Sequence, residues 1–532
     1  MSFRERVTVV LSRIVEPMRT ANGFEQFAAG AVMLVVLSLI SSWRRNKKNI
    51  ANVPIHGYRS RFEPTMLLQL RFVMGAKGII SSGYKRFKNV PFIVRRFDTD
   101  YNILPIKYLD ELRWVSPSIL SSKIATTQNM LYEWTDLHFL HRSDLHAHAM
   151  KRDLTPNLSK YLQLAAKEVD HGWNDIPPCD DWVEVDIQEI SRKLVARMSA
   201  RIFLGETASR DPEWLRVSQD YTIDAFATAF MLRMVPTWMR FILARFIPFR
   251  YRLRHHRKKA EQIVADKMKS RRERKPLEDD DSSVSLVDWM LDHGTEQENE
   301  LSEMANRQCI MTLASIHTTS TNTATFLFEL CAHPEWFPVL RAEIEEVART
   351  EKGNESEMDI KRWHARLEKM DSFLLECFRV HPPVLLSPQR VALQPFTLKD
   401  GTYIPKGCRI AFANSEHQMD PEITPDPTTF DPMRAYRARH APDGGPESYH
   451  RNQAVQTDIN NNLTFGYGSQ ACPGRFLGVA EIKLLLARLL TQFDFEYPGP
   501  EGTGQVPRTM TADENVFMDP RARLMMRKRK VA

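Results

Sequence analysis

No C-x-x-C pair occurs anywhere in the 532 residues. Cys179, Cys309, Cys331, Cys377, Cys408 and Cys472 are scattered singly, which argues against a zinc ribbon and against a redox dithiol. Their even number does not imply a disulfide framework in a chain this long. An excess of one charge is also slight: 73 Lys and Arg stand against 66 Asp and Glu, a net +7. Much of it sits in two clusters, Arg44 to Lys48 and Arg527 to Lys530. Neither is interleaved with aromatic residues as a nucleic-acid platform would be, so no nucleic-acid partner is expected. The composition that remains, 43% hydrophobic and 26% charged, is ordinary for a globular protein and can bury a large core.

Against this background one stretch stands out, Phe465-Gly466-Tyr467-Gly468-Ser469-Gln470-Ala471-Cys472-Pro473-Gly474-Arg475. Two glycines and an aromatic precede a lone cysteine, a Pro-Gly step follows it, and Phe476 to Leu490 then reads as an amphipathic helix. Glycines let the backbone pass close to a flat ligand. The helix start directs N–H groups and the positive end of its dipole toward the sulfur, favouring thiolate. A thiolate held this way can be the axial ligand of a haem iron, where it pushes electron density toward O–O cleavage. A buried free cysteine in a glycine turn is the plainer reading for an isolated Cys, but it leaves the rest of the string unexplained.

The string resembles the cysteine-ligand loop of the cytochromes P-450, F-x-x-G-x-(R/H)-x-C-x-G. The resemblance assigns Cys472 to the iron and places Phe465, Gly468, Gln470 and Gly474 around the haem. Gln470 departs from the pattern, because the family usually has Arg or His there, in contact with a haem propionate. The fold implied is mainly α with a smaller β region, and the cofactor is haem b, iron protoporphyrin IX.

Residues 1–26 are polar, and Phe27 to Trp43 is an apolar run without a charge. At about 1.5 Å per residue it is at the short end of what crosses a bilayer. It reads as one N-terminal transmembrane helix, with a core helix as the alternative, against which its apolar character on every face and the adjacent Pro-containing linker argue. The basic cluster that follows holds the C-terminal side in the cytosol by the positive-inside rule. Residues 44–56 read as a basic, Pro-containing linker and 57–532 as one catalytic domain. A cleaved signal is disfavoured, since the run starts late and no clear cleavage site precedes the basic cluster.

Within the domain, Pro91–Val94 and Tyr101–Pro105 read as strands, and Asp186 to Leu204 as an amphipathic helix stopped by Gly205. Residues 116–145 lack periodicity and suggest a mobile loop over a pocket. His146 and His148 complete no metal-ligand spacing, so a solvated helix is the plain expectation for them; by resemblance, Arg152, with Lys151 as a second candidate, reaches a haem propionate. Phe226 to Phe249 is rich in large apolar residues, and the family roofs the substrate channel with this stretch.

Ser302 to His333 is the longest helical pattern, stopped by Pro334. Near its middle lies Ala314-Ser315-Ile316-His317-Thr318-Thr319, where the family carries (A/G)-G-x-(D/E)-T-(T/S) above the haem. Ala314 and Thr318 are four apart and share a face, so a small residue and a hydroxyl would leave room for dioxygen. Ser315 and His317 depart from the pattern. His317, in the place of the usual acid, either relays protons at cytosolic pH or points to a neighbouring helix and stiffens the site.

Glu376 and Arg379 lie three apart on one face of an apolar helix. This E-x-x-R pair, with Arg434 as its third member, resembles the family's buried network. Arg390 resembles a strand residue that binds a propionate. Val384, Leu385, Leu386, Val516 and Phe517, with Ala314, are the candidate pocket residues, and all are apolar.

The resemblance covers roughly residues 55–525 and implies a monooxygenase acting on an apolar substrate. Its variants look like the fungal branch that oxidises terpenoids, gibberellin-type substrates and indole diterpenes. Implied partners are an NADPH–cytochrome P450 reductase, with cytochrome b5 as a second candidate, at the endoplasmic reticulum membrane. The rival readings are a haem-thiolate isomerase or dehydratase working without reductase, against which Thr318 argues, and a non-catalytic haem-binding protein.

Overall fold

The computed structural model describes residues 46–273, 284–352, 360–442, 453–460, 462–499 and 504–530. The expected membrane span, residues 27–43, lies outside the described residues, and among these no helix is long and apolar enough to cross a membrane.

Ten helices matter for the site: α1 (Thr65–Arg86), α2 (Ser122–Asn129), α3 (Leu158–Gly172), α4 (Ile187–Phe203), α5 (Pro212–Arg233), α6 (Thr237–Leu243), α7 (Pro248–Glu273), α8 (Leu301–Ala332), α9 (Glu368–Val380) and α10 (Arg475–Gln492). Their ends follow local chemistry. Asp186 caps α4 by accepting the Glu189 N–H at 3.0 Å, and the chain leaves that helix through Gly205 at φ +103°, a left-handed conformation that glycine adopts without strain. Asp211 caps α5, with Pro212 in the first turn.

At 32 residues, α8 is the axis of the molecule. It packs against α4, α5, α7, α9 and α10. Its buried residues, among them Met304, Ile316, Phe326 and Leu330, belong to the main core with Leu194 and Met198 of α4, Phe373 of α9 and Leu485 of α10. The apolar positions repeat on more than one side of α8 because it is enclosed by other helices.

The β region is smaller. Strands β1 (Phe92–Arg95), β2 (Asp100–Ile103), β3 (Leu120–Ser121), β4 (Gln389–Ala392) and β5 (Arg409–Ala411) form one sheet in the order β1-β2-β5-β4-β3. β2 and β5 are parallel, with Asn102 opposite Ile410, and the other pairs are antiparallel. A separate hairpin joins β6 (Thr509–Ala512) to β7 (Asn515–Met518). Residues 46–56, expected as a linker, lie against the first sheet. Ile50 is buried, Asn49 donates to Asp100 at 2.8 Å, and Ile55 bridges Ile93.

The segment 116–145 is not a loop. It contains β3, α2 and a 3-10 turn at His138–His141. Periodicity could not reveal α2, because partners distant in sequence hold it: Arg409 donates to Ala125 O at 3.1 Å and to Gln128 Oε1 at 2.9 Å.

Candidate active site

The cysteine loop is shaped by its own backbone. The Cys472 N–H donates to Phe465 O at 2.8 Å, closing the loop, and Gly466 and Gly468 lie at φ +76° and +75°. A side chain at Gly468 would meet Arg113 O at 2.5 Å. That glycine therefore serves the docking of the loop on Arg113. Gly474 ends the loop as the N-cap of α10; a Cβ there would stand 3.2 Å from the Met150 methyl and 4.0 Å from the Cys472 sulfur. Arg475 fastens the far side, donating to Cys472 O at 2.8 Å and Val455 O at 3.0 Å. Phe465 stands edge-on to Phe378 of α9, 5.6 Å between centroids.

Cys472 is exposed by surface area although protein surrounds it thoroughly. Both observations hold for a side chain on the wall of an internal space. Burial pushes its thiol up, while the N–H groups of Gly474 and Arg475 and the Arg475 charge oppose that shift. The same pattern appears on α8. Ala314 and Thr318 are exposed while Leu313, Ile316 and Thr319 are buried, on a helix enclosed by five others. Gly478 of α10 lies against Thr319, where a Cβ would stand 3.8 Å from its hydroxyl. The start of α10 and the middle of α8 thus meet, and the open stripe lies beside that meeting. The Thr318 hydroxyl donates back to Ala314 O at 2.7 Å.

Arg390 is buried, with its guanidinium on the carbonyls of Leu112 and Tyr467, the latter at 3.0 Å. Its Nε has no hydrogen-bond partner among the described residues. Burial alone lowers its pKa to about 10. A buried cation without a carboxylate is costly, and an anionic ligand would relieve that cost. These residues fit a haem: a sulfur on an open wall, a stripe of small and hydroxyl side chains, and an unmatched guanidinium for a propionate.

His317 and Gln470 are committed to other protein groups. The His317 ring lies 3.0 Å from Gln219 O on α5, and burial lowers its pKa. It is turned to a neighbouring helix, off the Ala314–Thr318 stripe, because adjacent helix positions do not share a face. Gln470 spends both ends of its amide on backbone, donating to Leu120 O and accepting from Ser122 N, each at 2.8 Å. Arg152 and Lys151 are exposed on a π-turn, Met150–Leu154, whose Met150 packs on Gly474. His146 is neutral, its pKa lowered to about 4 by burial.

Glu376 and Arg379 form the expected buried pair, and Arg434 approaches Glu376 Oε2 at 3.7 Å. Leu385 and Leu386, expected to line the pocket, are instead packed with Phe72 and Ile80 of α1 in the core beside the sheet. Both lie in a bend rather than a strand, so they do not alternate, and α1 packs over the two together. Val384 bridges Asn515, Val516 packs at the edge of the same core, and Phe517 is 46% exposed on β7. A polar cavity of about 360 Å³ is lined by Arg409, Asp98 and Arg240 and does not include Cys472 in its wall.

Glu481 was not anticipated. It is fully buried on α10, accepts from Ser199 of α4 at 3.4 Å, and Ser199 lies 2.9 Å from Ser315 of α8. Burial raises its pKa to about 8. The one acid in the helix Arg475–Gln492, nine positions after the cysteine, was the available signal.

The family model described as Cytochrome P450 matches residues 115–522. The cytochrome P450 monooxygenase ATR4 of Stachybotrys chlorohalonatus is 42% identical over 93% of this chain and 94% of its own. Ent-kaurene oxidase P450-4 of Gibberella fujikuroi is 36% identical over 91% and 94%. The chain's fold is similar to that of the retinoic acid bound cyanobacterial CYP120A1, with a TM-score of 0.64 at 18% identity, covering 90% of this chain and 100% of that one.

Proposed function

Because the chain belongs to the cytochrome P450 family, as a fungal secondary-metabolite monooxygenase, we propose that it inserts one oxygen atom of O2 into an apolar terpenoid or related metabolite. The other oxygen leaves as water, and NADPH supplies two electrons through a cytochrome P450 reductase, with cytochrome b5 as a second donor. The substrate class is supported by relatives named ent-kaurene oxidase.

The observation that carries the reading is the pairing of Cys472, open at the start of α10, with the exposed stripe of Ala314 and Thr318 on α8. Haem bound there supplies the oxygen-activating chemistry. The protein's own part is to hold the thiolate with Gly474 and Arg475, to balance a propionate with Arg390, and to present Thr318 as the hydroxyl that donates and accepts a proton. Ala314 keeps the neighbouring space clear.

Residues 27–43 anchor the enzyme in the endoplasmic reticulum membrane with the catalytic domain in the cytosol. Two apolar exposed surfaces support a membrane-facing side: Phe62, Met66 and Met74 in and before α1, and Trp238, Phe241 and Phe246 in and after α6. Co-expression with a reductase, followed by mass spectrometry of products from a terpenoid and indole-diterpenoid panel, tests the function. A product gaining one oxygen only when NADPH and reductase are present is expected. Rearranged or dehydrated product without reductase would point to an isomerase or dehydratase.

A further inference from the structure

β3 is an edge strand: β4 lies on one side of it and, among the described residues, no strand on the other. An open edge leaves N–H and C=O groups to be satisfied. In a strand, the C=O of one residue and the N–H two residues later point to the same side. Leu120 O and Ser122 N are such a pair, and Gln470 meets both, Nε2 to the carbonyl and Oε1 to the N–H, each at 2.8 Å. The side-chain amide thus acts as a strand neighbour made from one residue.

The position of this contact gives it consequence. Ser122 is the first residue of α2, and Ser121 caps that helix by accepting the Ile124 N–H at 3.2 Å. At the other end of α2, Asn129 accepts from Arg96 at 2.9 Å and from Arg409 at 2.8 Å. Arg96 also holds Glu514, at 2.7 Å, in the turn between β6 and β7. A hydrogen-bonded path therefore runs from the cysteine loop, through Gln470 and α2, to the β6–β7 hairpin.

We infer that Gln470 is a positioning residue that ties the cysteine loop to the first turn of α2, in place of the charged propionate contact expected at this position. Arg390 is left as the buried cation available to a propionate. The inference rests on the proposed function only in taking Cys472 as the iron ligand.

The test uses the full-length holoenzyme. Gln470→Ala should keep the red-shifted Soret band of the reduced carbon monoxide complex and should leave the reduction potential at the wild-type value. Hydrogen exchange across residues 118–129 should quicken about tenfold, with the greatest change at the start of α2. Ser122→Pro supplies a second, milder variant. It removes one N–H at a first-turn helix position that tolerates proline, after a residue already extended at φ −114°, ψ 120°. Its exchange defect should be smaller, and the double variant should be no looser than Gln470→Ala alone. Gln470→Glu keeps the acceptor for Ser122 N and should recover part of the protection. Unchanged exchange in Gln470→Ala, or a shifted potential with protection intact, overturns the inference and returns Gln470 to the propionate. A wild-type protein without the Soret band refutes the haem-thiolate reading, whereas the exchange results judge the clamp alone.

Discussion

Arg379 grips Glu376 through two parallel bonds, Nη2 to Oε1 at 2.7 Å and Nε to Oε2 at 2.9 Å, with 5% and 4% of the two side chains accessible. Bidentate geometry of this kind is strong and directional. The remaining capacity is filled as well: Arg379 Nη1 donates to Pro427 O at 2.7 Å, and Asp431 N donates to Glu376 Oε1 at 2.9 Å. The pair therefore fastens α9 to the 425–434 segment.

Removing one partner strands the other charge in the interior. Glu376→Ala should lose about 3–5 kcal/mol of stability and give protein with little bound haem. Thermal denaturation and the haem-to-protein absorbance ratio check this. Normal values for both would show that the pair is dispensable.

Cys472→Ala should abolish the red-shifted Soret band of the reduced carbon monoxide complex. The residue 472 N–H to Phe465 O and the Arg475 bonds to the carbonyls of 472 and Val455 use backbone and remain in the variant, so the fold should survive, as far-ultraviolet circular dichroism can verify. An unchanged Soret band would remove Cys472 from the iron.

Thr318→Ala should retain the thiolate spectrum and continue to consume NADPH while product formation falls on the order of a hundredfold, the low end for a positioned proton-transfer group, with hydrogen peroxide appearing instead. His317→Ala should stay coupled, since its ring is committed to Gln219 O on α5. Equal peroxide release from both variants would contradict this division of roles.

Glu481 makes stability depend on pH. Its folded pKa, about 8, lies above the ordinary carboxylate value of 4.5, so the folded state keeps a proton that the unfolded chain releases. Its contribution is complete below about pH 4.5 and is lost as pH rises through about 8. Glu481→Gln cannot ionise, and its melting temperature should gain on the wild type steadily across that window. Parallel melting curves from pH 5 to 9 would mean that Glu481 does not titrate there.

Deleting residues 1–45 should release much of the protein from membranes without loss of haem. The cut spares Asn46, which accepts from Arg95 at 2.7 Å, and Asn49 on Asp100. A pelleted truncation washed free only by detergent would locate the anchoring elsewhere, with the exposed apolar residues of α1 and α6 as the next surfaces to alter.

Features carried by neighbours in the chain were legible without coordinates. The loop at 465–475, the helix after it, α4 up to its stop at Gly205, and the long α8 all depend on local propensity and periodicity, which act over a few residues. The E-x-x-R pair was legible because both partners lie on one turn. What depends on distant partners was not. α2 sits in an aperiodic stretch and is held by Arg409 and Gln470, each some three hundred residues away in sequence. Leu385 and Leu386 look the same in sequence whether they face a ligand or a core, and only the packing of α1 against the sheet placed them inside. The sequence identifies Gln470 as a departure, yet the fate of its amide was decided by the open edge of β3, which exists only once the sheet has formed. Burial likewise set the proton on Glu481, since a carboxyl is perturbed by the surroundings that folding brings to it.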